Sequence, residues 1–319
     1  MPMAQRVMRV STPMCLVSFS KSKEYTSKAK VTTKGLTWAV VDITSECSHG
    51  CAWCYGGFND NKGTHVSVED FKVTLSKLKD MGIKQISMTG GEPTENPNML
   101  EMVELATKDF MVHITSHGEW YKNYADDFAR LGVSQVQFNY QGSKRHDGVH
   151  QVLGSYLKQV TSIKQSIKAD IETVGTVTVG AYNLKDIDSI FKEMSDLGVT
   201  RLRVWEATGK GNKWRKDKEA KEIFEICKTS ASKLGFNFIQ SYDPDFVGHV
   251  GTQCPPLSKV GIYVDAKSNL IFCPATEQLL DKPIASFLTD SAKTITSNFN
   301  AFIDKELKKG FRCLAREAV

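Results

Sequence analysis

The 319-residue chain has no apolar run of about 18 or more residues, so no transmembrane helix is expected. It shows no secretory signal peptide, and a cytoplasmic location is the expectation. It also lacks a strong charge bias. Lys and Arg outnumber Asp and Glu by 41 to 36, too small an excess to indicate a nucleic-acid partner. Acidic residues are scarce in one place. Residues 1–35 hold Glu24 alone against Arg6, Arg9, Lys21, Lys23, Lys28, Lys30 and Lys34. An acid-poor, Ser-rich start can be a mitochondrial presequence or a solvated basic arm; the arm is the reading adopted.

Cysteine is not scarce. Eight cysteines in a chain without a secretory signal point to a reducing compartment, and to ligands rather than disulfides. Three of them, Cys47, Cys51 and Cys54, lie within eight residues in Cys-Ser-His-Gly-Cys-Ala-Trp-Cys. The spacing is too short for a disulfide framework. Thiolates are soft ligands that hold iron–sulfur clusters or zinc. A closed structural zinc site wants four ligands, and the loop supplies three; His49 would be the fourth in that alternative. Three thiolates on a four-iron cluster leave one iron open to a substrate or cofactor.

The surrounding sequence alternates between strand and helix signals. Thr37 to Ile43 is an apolar run that reads as a buried strand leading into the cysteine loop. Ser67-Val-Glu-Asp70 is a helix start, followed by Phe71, Leu75, Leu78 and Met81 on one face and Gly82 as a stop. Gln85 to Thr89 reads as a second strand, and it runs into Gly90-Gly91-Glu92-Pro93. Glycines let the backbone approach a ligand closely. A carboxylate beside them can accept hydrogen bonds from an ammonium group. Further strands are expected at 110–115, 133–139, 171–179 and 200–205, with helices at about 98–108, 121–131, 152–168, 183–197 and 216–234. Six strand–helix units imply a parallel sheet with right-handed crossovers, and they are too few for a closed eight-fold barrel. In such folds the site lies at the C-terminal ends of the strands, where both motifs sit.

The cysteine motif and the Gly-Gly-Glu-Pro segment together closely resemble the radical S-adenosylmethionine (SAM) superfamily. The resemblance spans roughly residues 36 to 319. It implies a partial (β/α)6 barrel, with a [4Fe–4S] cluster on Cys47, Cys51 and Cys54. It implies that the open iron chelates the methionine part of SAM. Electron transfer then cleaves SAM to a 5′-deoxyadenosyl radical that abstracts hydrogen from substrate. By the same resemblance, Gly90, Gly91, Glu92 and Pro93 hold the SAM ammonium end. Trp53 would cover the cluster or stack on adenine. Thr115, Ser116 and Asn139 match ribose-contacting strand ends, and Val177 lies where relatives give main-chain contacts to adenine. Gln141 stands where one branch of the family carries Asp, which leaves that Asp's role unassigned here. The alternative role for each strand-end residue is an ordinary polar cap. His113, inside a strand, reads as a packed histidine. Arg201 and Arg203 share one strand face.

Past residue 235 the helical pattern thins, and Cys254, Cys273 and Cys313 appear. Gly261 to Cys273 reads as a small hairpin ending in a cysteine. This resembles the Twitch auxiliary-cluster domain, the smaller relative of SPASM. Three cysteines serve one further [4Fe–4S] cluster. The fourth ligand is open among His249, a carboxylate and the substrate. The family often has Gly where Ser268 stands. Cys227 reads as core packing, and Cys15 has no readable context. The domain division expected is a basic arm (1–35), a radical SAM partial barrel (36–235) and a small α+β auxiliary-cluster domain (236–319). The function implied is oxidation of a small molecule or peptide, with the second cluster as electron acceptor and a flavodoxin or ferredoxin as donor. The alternatives are a redox-neutral epimerase or rearrangement enzyme with a thiol hydrogen donor, and a non-enzymatic zinc or iron–sulfur module.

Overall fold

The computed structural model describes residues 35–51, 53–54, 56–58, 63–180, 182–206, 217–240, 256–257, 259–273 and 282–308. The expected basic arm, Cys15, His249, Cys254 and Cys313 lie outside the described residues. Strand β1 (Trp38–Thr44) is followed by helix α1 (Val68–Asp80), β2 (Gln85–Gly90), α2 (Met99–Thr107), β3 (Met111–Ser116), α3 (Tyr124–Leu131) and β4 (Gln135–Asn139). Next come the short α4 (His146–His150), α5 (Ser155–Lys168), β5 (Glu172–Val179), α6 (Ile187–Asp196), β6 (Arg201–Glu206), α7 (Asp217–Lys233) and β7 (Asn237–Gln240). The chain then adds β8 (Gly261–Val264), β9 (Asn269–Ile271), β10 (Ala285–Ser286) and α8 (Ala292–Lys308). All strands form one sheet in the order β10-β9-β8-β1-β2-β3-β4-β5-β6-β7. Pairs from β1 through β7 are parallel. The sheet runs from β10 to β7 without closing, which is the partial-barrel architecture expected.

Local sequence explains these elements. The Ser67 hydroxyl accepts a hydrogen bond from the Asp70 amide at 3.0 Å and caps α1. Glu69 and Asp70 then sit at the positive end of the helix dipole, and Lys77 and Lys79 at the negative end. Phe71, Leu75 and Leu78, spaced four and three apart, bury the inward face of the helix, about 1.5–3 kcal/mol each. Gly82, with φ of 84°, turns the chain back into β2.

The sheet has two unlike faces. Val41 and Ile43 of β1, Ile86 and Met88 of β2, Ile114 of β3, Phe138 of β4, Val177 of β5 and Val204 of β6 join the helices in one apolar core. The residues between them point to the other face. There Gln85, Ser87, His113, Gln135, Gln137, Thr176, Thr178 and Arg203 are all buried and polar. Parallel sheets usually bury apolar side chains on both faces. Here the polar face is partly paired across strands: Gln85 meets His113 at 3.2 Å and Arg203 donates to Gln137, while Gln135 Oε1, Gln137 Nε2 and Thr176 Oγ1 keep no protein partner among the described residues. His113 is thus a packed histidine. Arg201 and Arg203 do share a face, and Arg201 pairs with Glu172.

Two additions lie beyond the six expected units. β7 extends the sheet past β6, and the expected hairpin, β8–β9, docks on the opposite edge, with β8 parallel to β1. The sheet therefore runs unbroken across position 235. In the hairpin turn, the Asp265 carboxylate accepts from the Lys267 and Asn269 amides. Ser268 holds φ of 58°, a left-handed conformation that glycine adopts more easily. Among the described residues no helix is long and apolar enough to cross a membrane.

Candidate active site

Strand β1 delivers the chain into the cysteine loop, and the end of β2 clamps it. The Gly91 amide donates to the Thr44 carbonyl at 2.9 Å, and the Glu92 amide to the Glu46 carbonyl at 2.8 Å. This approach explains the two glycines. A Cβ at Gly90 would stand 2.0 Å from the Thr44 carbonyl oxygen, and one at Gly91 would stand 2.0 Å from that of Glu46. Their smallness thus admits the loop carrying Cys47, so their service to a ligand is through that loop. Pro93 is buried at the start of a 3-10 turn, Pro93–Glu95. From that turn Glu95 accepts from the Ser48 amide at 2.9 Å.

Glu92 is buried and fastens β2 to β3. One carboxylate oxygen accepts from the Thr94 amide (3.2 Å), the Thr94 hydroxyl (2.6 Å) and the Ser116 hydroxyl (2.8 Å). The other accepts from the His117 amide at 2.8 Å. The Ser116 hydroxyl also accepts from the Gly118 amide and the Trp120 indole. Ser116 is therefore consumed in this strut, on the helix side of the sheet. Thr115, its half-buried neighbour, points to the polar face.

Four histidines pack beneath the loop. His49 and His117 stack with ring centroids 3.7 Å apart, and His146 and His150 stack at 4.1 Å. His49 Nδ1 meets His150 Nδ1 at 3.0 Å, and His49 Nε2 meets Glu119 at 3.1 Å. Burial lowers the pKa of His49 to about 4, with nearby His117 adding to the effect, so the ring is neutral. Glu119 also binds Lys158. A carboxylate only accepts, so His49 Nε2 carries the proton and His49 Nδ1 accepts from His150 Nδ1–H. That leaves the lone pair of His150 Nε2 buried without a partner. Desolvation pulls His117 down, but the carboxylates of Glu92, Glu95 and Glu119 outweigh it and hold its pKa above the ordinary value. Burial likewise opposes ionisation of Glu95, yet hydrogen bonds from His117 and Ser48 hold its pKa below the usual range.

Cys47, Cys51 and Cys54 are half-buried, free of disulfides and held in one loop. Burial pushes the Cys47 thiol well above its ordinary value and the Cys51 thiol up to about 12. Thiolates here therefore need a cationic centre to form. One mononuclear ion at about 2.3 Å would draw its sulfurs to within about 4 Å of one another. Among the described residues, the set whose ligand atoms all come within 4.8 Å is His49, Cys51 and His150. The three cysteine sulfurs are soft donors held in one loop, the kind of set an iron–sulfur cluster takes. The Trp53 indole lies edge-on to His150 at 5.8 Å, between the cysteine loop and Tyr182. The three-thiol donor set is what fits an iron–sulfur cluster.

The later strand ends form an amide-rich rim. Asn139, at the end of β4, is half-buried, and its carbonyl accepts from Gln159 at 2.8 Å. Val177 turns its side chain into the apolar core, so only its backbone could meet a ligand. Tyr182 is a site residue the sequence gave no sign of. Burial pushes its phenol up, as does nearby Cys51, with Trp53 opposing, and its hydroxyl donates to the Thr178 carbonyl at 2.7 Å. Glu95, Glu119 and His150 were missed as well; only Glu95, in Gly-Gly-Glu-Pro-Thr-Glu, carried a signal. Cys273 follows β9, half-buried against the core.

Residues 41–194 match the Radical SAM superfamily. The sporulation killing factor maturation protein SkfB of Bacillus subtilis (strain 168) is 23% identical over 292 residues, covering 86% of this chain and 68% of its own length. The PqqA peptide cyclase of Bradyrhizobium diazoefficiens is 26% identical over 178 residues, covering 54% of this chain and 47% of its own. The chain thus spans about half of that relative's length. Among solved structures, Streptococcus suis SuiB bound to precursor peptide SuiA aligns with a TM-score of 0.72 at 13% identity, covering 84% of this chain and 67% of that one. Native anSMEcpe with bound AdoMet aligns at 0.66 and 15%, covering 86% and 84%. At these identities the structural likeness establishes the fold.

Proposed function

We propose, from the match of residues 41–194 to the Radical SAM superfamily, that this protein is a radical SAM enzyme that oxidises a peptide substrate. The observation that carries it is the cysteine loop. Its three soft thiols sit in one loop clamped beside the buried Glu92 strut, and the loop supplies three cysteine ligands where a closed zinc site wants four. Cys47, Cys51 and Cys54 would hold a [4Fe–4S] cluster with one open iron. When bound, that cluster supplies the electron that cleaves SAM to a 5′-deoxyadenosyl radical, which abstracts hydrogen from substrate. The chain's own share is to bind, orient and exclude water. Gly90 and Gly91 admit the loop; the Glu92 segment would lie toward the SAM ammonium, and Trp53 would wall the cluster side.

A peptide substrate is supported by a relative named as a peptide cyclase and by the similar SuiB structure, which is bound to a precursor peptide. The polar inner face of the sheet can meet peptide groups with hydrogen bonds. Net oxidation needs an acceptor for the substrate radical's electron, and Cys254, Cys273 and Cys313 are the residues we assign to holding one, in a Twitch-like unit over 236–319. A flavodoxin or ferredoxin would be the donor. The redox-neutral alternative needs a hydrogen-donating thiol at the site. Cys227 is fully buried in the apolar core, on the helix side of the sheet, and is out of a substrate's reach.

Anaerobic reconstitution tests the two-cluster reading. It should give about eight iron per chain, and about four in the triple variant Cys47→Ala, Cys51→Ala, Cys54→Ala. Zinc alone in the wild type, or no iron in the variant, would overturn it.

A further inference from the structure

Three side-chain amides at the ends of β4 and β5 form a chain of fixed polarity. Asn183 is buried, and its carbonyl accepts from the Gly180 amide at 2.9 Å. Its NH2 donates to the Thr178 carbonyl at 2.9 Å and to Gln141 Oε1 at 2.7 Å. A backbone N–H can only donate and a backbone carbonyl can only accept, so Asn183 has no flipped alternative. Gln141 is fully buried, and its oxygen is committed to Asn183. Its NH2 must therefore face Asn139, where it donates to Oδ1 at 2.7 Å. With Oδ1 accepting from Gln141, the Asn139 NH2 is left with one long contact, 3.4 Å to the Thr178 hydroxyl, on a half-buried side chain. Gln159 pins the Asn139 backbone from the other side.

We propose that Gln141 and Asn183 are positioning residues that lock Asn139 as a hydrogen-bond donor to an acceptor atom on the adenosyl half of SAM. This rests on the SAM-binding reading above. A ligand anchored by its methionine end at the cysteine loop would carry its other half toward the neighbouring strand ends, and the amide rim lies at those of β4 and β5. That half of the ligand is uncharged and rich in acceptors, namely ribose oxygens and adenine ring nitrogens. The device works at a distance: backbone atoms of β5 decide which end of a β4 side chain the ligand meets.

The test uses the reconstituted holoenzyme at pH 8, with SAM affinity read by calorimetry and iron content and unfolding midpoint as controls. Gln141→Glu places an acceptor where a donor stood. Asn139 must then turn its NH2 inward and present its oxygen to the ligand, and SAM affinity should fall about tenfold. Gln141→Met, which removes the polarity without reversing it, should lose about threefold. Neither change should add to the loss in an Asn139→Ala background. The change in the reduced cluster's EPR spectrum at saturating SAM should persist, since the methionine end still binds. Wild-type affinity in both Gln141 variants, or equal losses with Asn139 already removed, would overturn the relay. Failure of the fully loaded wild type to bind SAM would instead overturn the proposed function.

Discussion

The site has two halves built from different chemistry. Around the cysteine loop, at the ends of β1 to β3, the supports are ionisable: Glu92, Glu95, Glu119, His49, His117 and Lys158. At the ends of β4 and β5 they are neutral amides: Asn139, Gln141, Asn183 and Gln159. The difference matches what each half would face. Charged supports suit a metal cluster and an ammonium group, whereas neutral amides orient an uncharged nucleoside without a desolvated charge. In both halves the visible functional group is held by a buried partner, and the partner decides its orientation.

The harshest way to break the first half is at its clamp. Gly91→Ala forces a Cβ against the Glu46 carbonyl, with the Cys47 Cβ at 3.0 Å behind it. We expect a stability loss of about 3 kcal/mol in urea unfolding and loss of the first cluster on reconstitution. Normal iron loading would show that the loop has room to retreat.

Next in size is Glu92→Ala, which strands four donors, two on Thr94 in the turn after β2 and one each on Ser116 and His117 at the end of β3. It should cost about 2–4 kcal/mol and weaken SAM binding tenfold or more while the three cysteines still take up iron. An unchanged urea midpoint would contradict the strut.

The smallest effect is expected between the halves, at His146. Both its ring nitrogens are buried without partners, and burial holds its pKa near 4, with His49 adding to the effect. Between about pH 6.5 and 4 the unfolded chain binds a proton there that the folded chain does not, so the group erodes stability as pH falls through that window. His113, also near 4 through burial and then Arg203, acts the same way. His146→Phe keeps the stacking volume and removes the titration. Its melting temperature should be unchanged at pH 7.5 and above the wild type's at pH 5. A lower melting temperature at both pH values would mean that a nitrogen of His146 has a role.

What the sequence revealed follows from how contiguous each feature is. Cys47 to Cys54 and Gly90 to Pro93 are short segments whose chemistry is legible residue by residue, and the periodicity of Phe71, Leu75 and Leu78 announced α1. The Glu92 and amide struts join positions 24 to 42 residues apart, so their pairing became visible only once β2, β3, β4 and β5 stood side by side. The short β7 and the docking of β8 beside β1 escaped for the same reason: register between distant strands is a tertiary property. Ser268 shows the reverse case, a position where the family's glycine could be read from the resemblance and where the backbone indeed adopts a glycine-like φ.

The central claim, that the clamped cysteine loop presents an open iron to SAM, is tested most directly by product analysis. The anaerobically reconstituted protein is reduced with dithionite and incubated with SAM, and 5′-deoxyadenosine is quantified by mass spectrometry. The account predicts its formation by the wild type and none by the triple variant at Cys47, Cys51 and Cys54. A fully loaded wild-type protein that forms no 5′-deoxyadenosine, or a triple variant that forms as much as wild type, would contradict it.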